Sequence, residues 1–174
     1  MIEDKVILVD VNDNQIGLMP KLEAHEKGVL HRAFSIFLIN SEGKLLLQQR
    51  ALTKYHSPGL WTNTCCSHQR LGEDSLAAAN RRLFEEMGMT AKLHEAFTFV
   101  YQADMGNGLI EHELDHVIIG YTDKEPKINL EEVAEWSWKD VDFLKADLVN
   151  RPDRYTAWFK IVFDQFYEYL KSRK

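Results

Sequence analysis

The chain lacks most of the features that assign a protein quickly. It has only two cysteines and four prolines. The cysteines are neighbours, Cys65 and Cys66, and adjacent cysteines rarely bridge because the geometry is strained. That excludes a small secreted scaffold stapled by disulfides and leads us to expect a reduced, cytoplasmic protein. No apolar run approaches the ~20 residues needed to cross a bilayer, so no membrane span is expected. The opening MIEDKVILVD holds a short apolar run between acidic flanks, without the basic start and longer apolar core of a secretory signal. Basic blocks are missing too: 21 Lys and Arg are interleaved with 27 acidic residues, for a net charge of −6. No stretch would neutralise a run of phosphates, so nucleic acid is not an expected partner.

What is present suits a single domain. With 174 residues and 45% apolar content the chain can bury a genuine core, and residues 1–174 are read as one unit, with no linker, repeat or low-complexity segment. KVILVDVNDNQIG predicts a strand entering a turn. HRAFSIFLIN and LLLQQR, separated by SEGK, predict a hairpin turning at Gly43. From Ser75, apolar residues recur at helical spacing up to Met87, and Gly88 follows at the C-cap position. AKLHEAFTFVYQ and HELDHVIIGYTD return to strand character around a loop, ADMGNGLI, and EEVAEWSWKD predicts one more strand. From Asp153 onward Tyr155, Trp158, Phe159, Val162, Phe163, Phe166 and Leu170 mark a last helix, closed by KSRK. The order predicts an α+β domain built on sheets.

Four constellations carry possible chemistry. In TNTCCSHQ, an extended backbone puts Cys66 and His68 on one face and Cys65 and Ser67 on the other; the alternative is a pair of small buried thiols. Glu111 and Glu113 in LIEHELDH share a strand face, where two carboxylates need a cation or a proton between them; the alternative is a solvated edge strand. His25 and His31 flank Gly28, and a turn there could bring both inward. Imidazoles with carboxylates suit Zn²⁺ or Mn²⁺ better than Ca²⁺. In GEDSLAAANRRLFEEMG, Arg82, Glu85 and Glu86 sit at helical neighbours' spacing; this could be an ordinary solvated helix, or its carboxylates could hold Mg²⁺ against phosphate oxygens.

These motifs resemble a known family. Glu73, Arg81, Glu85, Glu86 and Gly88 fall at the spacing of the Nudix superfamily's helix, with Ser67 in place of its leading glycine and Arg82 in place of the glutamate after Arg81. HRAFSIFLIN, LLLQQRA, PGLWTNTCCSH, the RRLFEEMG helix, the E-x-E pair and a late tryptophan follow the order found in type I isopentenyl-diphosphate Δ-isomerases, over roughly residues 5–160. The resemblance implies a Nudix-like fold of mixed β-sheets flanked by helices. It implies His25, His31, His68, Glu111 and Glu113 as ligands of a divalent ion, Mn²⁺ or Zn²⁺. Glu86 would help hold Mg²⁺ arriving with the diphosphate of a small-molecule substrate, and Lys21, Arg50, Lys54 and Arg82 would meet that diphosphate.

By the same resemblance Cys66, Glu113 and Tyr101 are the acid–base groups and Trp158 the aromatic wall. The implied reaction moves a double bond between isopentenyl and dimethylallyl diphosphate through a tertiary carbocation. Glu113, tied to the metal and to Tyr101, is expected to deliver the proton, and Cys66, as thiolate, to remove one from the other side. General acid–base help contributes about 10²–10⁴-fold, so the site must also stabilise charge, a role for the Trp158 ring worth on the order of 2 kcal/mol. A Nudix hydrolase would want glutamate at position 82 and has no use for Cys66; a non-catalytic metal or prenyl-diphosphate binder would tolerate loss of Cys66 or Glu113. His56, His94 and His116 are read as structural or surface residues.

Overall fold

A computed structural model describes residues 4–173; the first residues of the N-terminal reading and Lys174, the last cation of KSRK, lie outside them. Strands β1 (Lys5–Val9) and β2 (Gln15–Pro20) form a hairpin, and β2 runs directly into a short helix, α1 (Lys21–Lys27). Gly28 ends α1 in the left-handed region, at φ +64°, and turns the chain into β3 (His31–Ile39). β4 (Lys44–Arg50), β5 (Trp61–Thr62) and β6 (Cys65–Ser67) follow. Helix α2 (Ser75–Met87) is capped by Asp74, whose carboxylate accepts from the Ala77 N–H. Then come β7 (Leu93–Gly106), β8 (Leu109–Tyr121), β9 (Val133–Asp140), α3 (Val141–Asn150) and α4 (Ala157–Ser172).

Pairing centres on β3. It runs parallel to β8 from His31↔Glu113 to Ile39↔Tyr121, and antiparallel to β6 on its other side. The expected β3–β4 hairpin closes at its turn but pairs only Ile39↔Leu45 before the strands part, β4 leaving to pair with β9 and β5. Strands covered on both faces read as unbroken apolar runs, and residues 36–39 of β3, IFLI, are one. Phe34, Ile36 and Leu38 pack against Ala78, Ala79, Leu83 and Met87 of α2. Phe37 and Ile39, with Val117 and Ile119 of β8, pack against Phe159, Val162, Phe163 and Phe166 of α4. The result is the mixed sheet flanked by helices that the resemblance implied.

Three expectations are corrected. ADMGNGLI is no open loop: β7 and β8 extend to Gly106 and from Leu109, leaving a two-residue turn, Asn107 and Gly108, both at positive φ as such hairpin turns require. The last helix begins at Ala157 rather than Asp153, because Pro152–Arg154 form a single 3₁₀ turn and Thr156 is extended. E-x-E is not on a solvated edge, since both glutamates are buried and β8 pairs with β7 along the pair and with β3 from Glu113 onward.

Candidate active site and metal centre

One strand face builds the site. On β8 the side chains of Glu111, Glu113, Asp115, Val117 and Ile119 share a face by period-two alternation. Where α4 covers that face the residues are aliphatic, and before α4 begins they are acidic. His31, Ala33 and Ser35 of β3 do the same in register beside them. All three carboxyls are buried. The cavity over this polar half has a volume of about 210 Å³.

Of the expected site residues, Lys21, Arg50, Lys54, Cys66, His68, Arg82, Glu86, Tyr101, Glu111, Glu113 and Trp158 line this cavity. His25 and His31 stand behind its wall, with ring centroids 5.2 Å apart and each within about 6 Å of the His68 ring. One ligating atom from each of His25, His31 and His68 lies within 4.8 Å of the others. The His31 Nδ1 lies 2.9 Å from the Val29 carbonyl and His25 Nδ1 3.1 Å from the Tyr55 hydroxyl, while the Nε2 atoms of both are buried without a hydrogen-bond partner. Bare imidazole nitrogens facing a carboxylate suit a divalent cation. Glu113 Oε2 is 2.9 Å from His68 Nε2 and 3.4 Å from His31 Nε2.

The protonation pattern follows from burial and neighbours. Burial, then the adjacent histidines, pushes His25 down to about 3; burial pushes His68 down to about 4 against the pull of Glu113. Both are neutral at pH 7, the form that ligates metals. The Tyr101 hydroxyl donates within reach of both carboxylates, 2.7 Å from Glu111 Oε2 and close to Glu113 Oε1. Burial and the Glu113 charge raise Glu111 well above the carboxylate range. Burial acts on Glu113 in the same sense, but the nearby His31 and the hydrogen-bonded His68 outweigh it and hold that carboxyl low.

The surroundings of Cys66 bear on its expected role. Its sulfur lies 3.4 Å from Ser35 Oγ, 3.1 Å from Asn63 Oδ1 and 3.2 Å from Trp158 Nε1. Burial and the nearby Asp115 carboxyl push its thiol far above the usual range, which favours the thiol over the thiolate. Cys65 faces away, as alternation predicts, into the α2 side of the core, where its thiol donates to Glu86. Trp158 is both things the sequence allowed: it packs in the α4 core and lines the cavity, with the Arg50 guanidinium 5.3 Å from its ring centre.

Helix α2 explains the departures from its motif. Glu73 and Arg81 form a two-pronged ion pair that holds the loop before the helix, and Arg81 stays out of the main cavity. Arg82 lies between Glu85 at 2.7 Å, Glu86 at 2.5 Å and Glu132 at 3.5 Å. Lys54 pairs with the same Glu132. Burial and the nearby charges of Lys54 and Arg82 lower Lys21, as expected where cations converge.

With this geometry established, comparison with known proteins places the chain. A model of the NUDIX domain matches residues 29–159. An isopentenyl-diphosphate Delta-isomerase of Serratia proteamaculans is 52% identical over 90% of this chain and 88% of its own length. An isopentenyl-diphosphate Delta-isomerase 2 of Photorhabdus laumondii is 54% identical over 91% and 89%. The chain belongs to the type I isopentenyl-diphosphate Delta-isomerase family of the NUDIX superfamily. Among solved structures, DR0079 of Deinococcus radiodurans matches 93% of this chain and 98% of its own at TM-score 0.78 and 18% identity. A MutT protein of Methanosarcina mazei matches 83% and 96% at 0.67 and 19%. These neighbours share the NUDIX fold with the isomerase family.

Four residues of this family member escaped sequence reasoning. His56, expected to be structural or surface, is buried in the cavity wall, its Nε2 3.4 Å from Glu111 Oε1 and its ring edge-on to Trp158. Burial and then Arg50 push it down to about 3. Asp115 continues the E-x-E alternation by one step, so the period-two pattern could have found it; its Oδ2 accepts from Ser35 and its Oδ1 is buried without a partner. Ser35 and Asn63 carried no signal beyond proximity to the motif. His94 and His116 are outside the site, His94 stacked on Tyr121 and His116 between Asp13 and Glu95. No described helix is long and apolar enough to cross a membrane.

Proposed function

We propose that this chain, residues 1–174 acting as one catalytic domain, interconverts isopentenyl and dimethylallyl diphosphate in the cytoplasm. The observation that carries the reading is the meeting of two acid–base groups, Cys66 and the Tyr101–Glu113 pair, in one cavity that also collects Lys21, Arg50, Lys54 and Arg82. Four cations recognise a diphosphate. An acid and a base then serve the attached alkene.

His25, His31, His68, Glu111 and Glu113 would hold Mn²⁺ or Zn²⁺, and Glu86 would help hold Mg²⁺ brought by the substrate. Bound there, the ion at Glu86 would neutralise diphosphate charge and the ion at the histidines would keep the carboxylates in place. The chain's own residues move the protons. Because Cys66 rests as a thiol and Glu113 as a carboxylate, we assign Cys66 as donor and Glu113 with Tyr101 as acceptor in the direction of dimethylallyl diphosphate, the reverse of the order expected from sequence. The S–H proton adds to the terminal CH₂ carbon of the alkene and leaves a thiolate and a tertiary cation. Glu113 takes a proton from C2, and the new double bond forms. The donor and acceptor then re-equilibrate their protons before the next turnover. The Trp158 ring would face the cation, where a desolvated cation–π contact contributes on the order of 2 kcal/mol, and the depth of the cavity limits the water that could capture it.

A second reading, diphosphate hydrolysis as in many NUDIX proteins, is disfavoured by Arg82 occupying the position of the motif glutamate. The test is direct. Purified protein with Mg²⁺ and isopentenyl diphosphate should yield the dimethylallyl isomer, and Cys66→Ala should abolish turnover with the circular dichroism spectrum unchanged. Phosphate release without isomer would overturn the proposal in favour of hydrolysis.

A further inference from the structure

Thr156 breaks a local rule. It is the N-cap of α4, a position where a threonine hydroxyl ordinarily accepts from a backbone N–H of the first turn, and here it makes no capping bond. The hydroxyl is instead turned inward and donates to Thr62 Oγ1 at 2.9 Å. Thr62 Oγ1 donates on to Asn63 Oδ1 at 2.8 Å, and Asn63 Oδ1 receives the Cys66 thiol at 3.1 Å. The Asn63 amide cannot flip to serve otherwise, because its Nδ2 already donates to the carbonyls of Ile36 and Cys65, which only accept. Two residues into α4, Trp158 Nε1 donates to the same sulfur at 3.2 Å.

These bonds close a ring. From the Cys66 sulfur it runs through Asn63, Thr62 and Thr156 into the first turn of α4, and returns through Trp158 to the sulfur. The backbone supports it, since the Thr156 N–H donates to the Trp61 carbonyl and Tyr155 bridges Trp61. Thr62, Asn63 and Thr156 are all buried, none lines the cavity itself, and none belongs to the ligand set. A fully satisfied buried polar network fixes geometry.

We propose that Asn63, Thr62 and Thr156 are positioning residues that lock the Cys66 sulfur against the Trp158 indole, so that proton donor and cation-facing wall hold one relative placement. The inference rests on the roles assigned above to Cys66 and Trp158. It explains why α4 forgoes its capping bond: the hydroxyl sets the sulfur's surroundings instead of the helix end.

The test uses Thr156→Val and Thr62→Val, which keep side-chain shape and remove the hydroxyl, and Thr156→Ser, which restores it. Thr156→Val costs no capping bond, since none exists. Two quantities are read in parallel: kcat and KM for isopentenyl diphosphate with Mg²⁺, and the rate of iodoacetamide labelling of Cys66 followed by peptide mass spectrometry. Both valine variants should lower kcat by about tenfold or more, as misplacement of a reacting group does, with KM within about threefold. Labelling of Cys66 should accelerate by a similar factor, and Thr156→Ser should return both values toward wild type. Wild-type kcat and labelling rate in the valine variants, even with a lowered Tm, would overturn the proposal, as would failure of serine to restore them. If Thr156→Val does not fold, Thr62→Val decides by the same two measurements. Absence of isomerase activity in the wild type would count against the functional reading, and the labelling rates would still decide whether the ring constrains the sulfur.

Discussion

His31 on β3 and Glu113 on β8 lie directly opposite each other in the parallel ladder, and their side chains meet on the cavity side with His31 Nε2 3.4 Å from Glu113 Oε2. The same ladder continues to Ile39↔Tyr121 under the aromatic core of α4. Three of the five expected ligands, His31, Glu111 and Glu113, are therefore held on packed strands whose positions are set by the core, while His25 comes from α1 and His68 from the segment just after β6.

Metal binding should follow from this arrangement. Manganese or zinc added to chelator-stripped protein is expected to bind at one equivalent and raise Tm, because only the native state presents the site. His31→Ala should weaken binding by more than about 100-fold. Tyr55→Phe, which removes the hydroxyl from His25 Nδ1, should weaken it by roughly tenfold, the lower end for partners that orient a ligand. Equal effects of the two in a chelator-competition titration would argue against the ligand assignment.

Arg82 should behave as a charge placed among acids. Arg82→Glu would restore the superfamily's glutamate and remove the guanidinium from Glu85, Glu86 and Glu132, of which Glu132 keeps Lys54 and Glu85 keeps Arg81. A loss of roughly 1–3 kcal/mol of stability is expected, partly recovered by Mg²⁺. Steady-state kinetics should show KM for the diphosphate raised more than about tenfold, and a phosphate assay should detect no hydrolysis.

Acid should destabilise the metal-free protein through its buried histidines. His25, His56 and His68 sit at about 3, 3 and 4 in the folded chain against about 6.5 unfolded. Between those values the unfolded state binds protons the folded state refuses, so this stability is complete above pH 6.5 and is lost as pH falls through the window. Each histidine contributes about 1.4 kcal/mol per pH unit there. Urea titrations between pH 4.5 and 6.5 should therefore give a shallower slope for His56→Gln than for wild type by about that amount. An unchanged slope would place a charged His56 in the folded state.

Gly88 should resist any side chain. It has φ +61°, and a Cβ there would meet the Lys127 carbonyl oxygen at 2.5 Å, while its own N–H closes α2 on the Phe84 carbonyl. Backbone strain and a rigid clash act together, so Gly88→Ala is expected to cost about 2–4 kcal/mol by chemical denaturation. A cost below about 1 kcal/mol would mean that the Lys127 segment yields easily.

Much of this was readable in advance, for physical reasons. Helix α2 announced itself through apolar periodicity and its glycine stop, and Glu111 and Glu113 share a face by alternation alone. HRAFSIFLIN read correctly as a strand, although the hairpin expected with LLLQQR pairs at one position only. Other parts had weak local signals. Helix α1 is seven residues long, below the length at which helical periodicity is legible, and its histidine meets the others only through the Gly28 turn. His56 sits in a loop beside Ser57, which has positive φ, where no period assigns a direction. Helix α3 was missed although Asp140 caps it with bonds from the Asp142 and Phe143 N–H groups; that aspartate was a usable start signal. The thiol state of Cys66 depended on Asp115 and on burial, neither of which Cys66's own neighbours in sequence reveal.

The change of character along one face of β8, acids first and aliphatics after, has a consequence for how the chain tolerates alteration. A substitution at Glu113 touches the chemistry, and one at Val117 touches the packing. A single residue inserted between Asp115 and Val117 would rotate the strand by one step, lifting Val117 and Ile119 off α4 while Glu111 and Glu113 stayed behind, or the reverse. Either way chemistry and core would fall out of phase together. In this hairpin added residues should be tolerated best at the Asn107–Gly108 turn, where they leave the register of both strands intact.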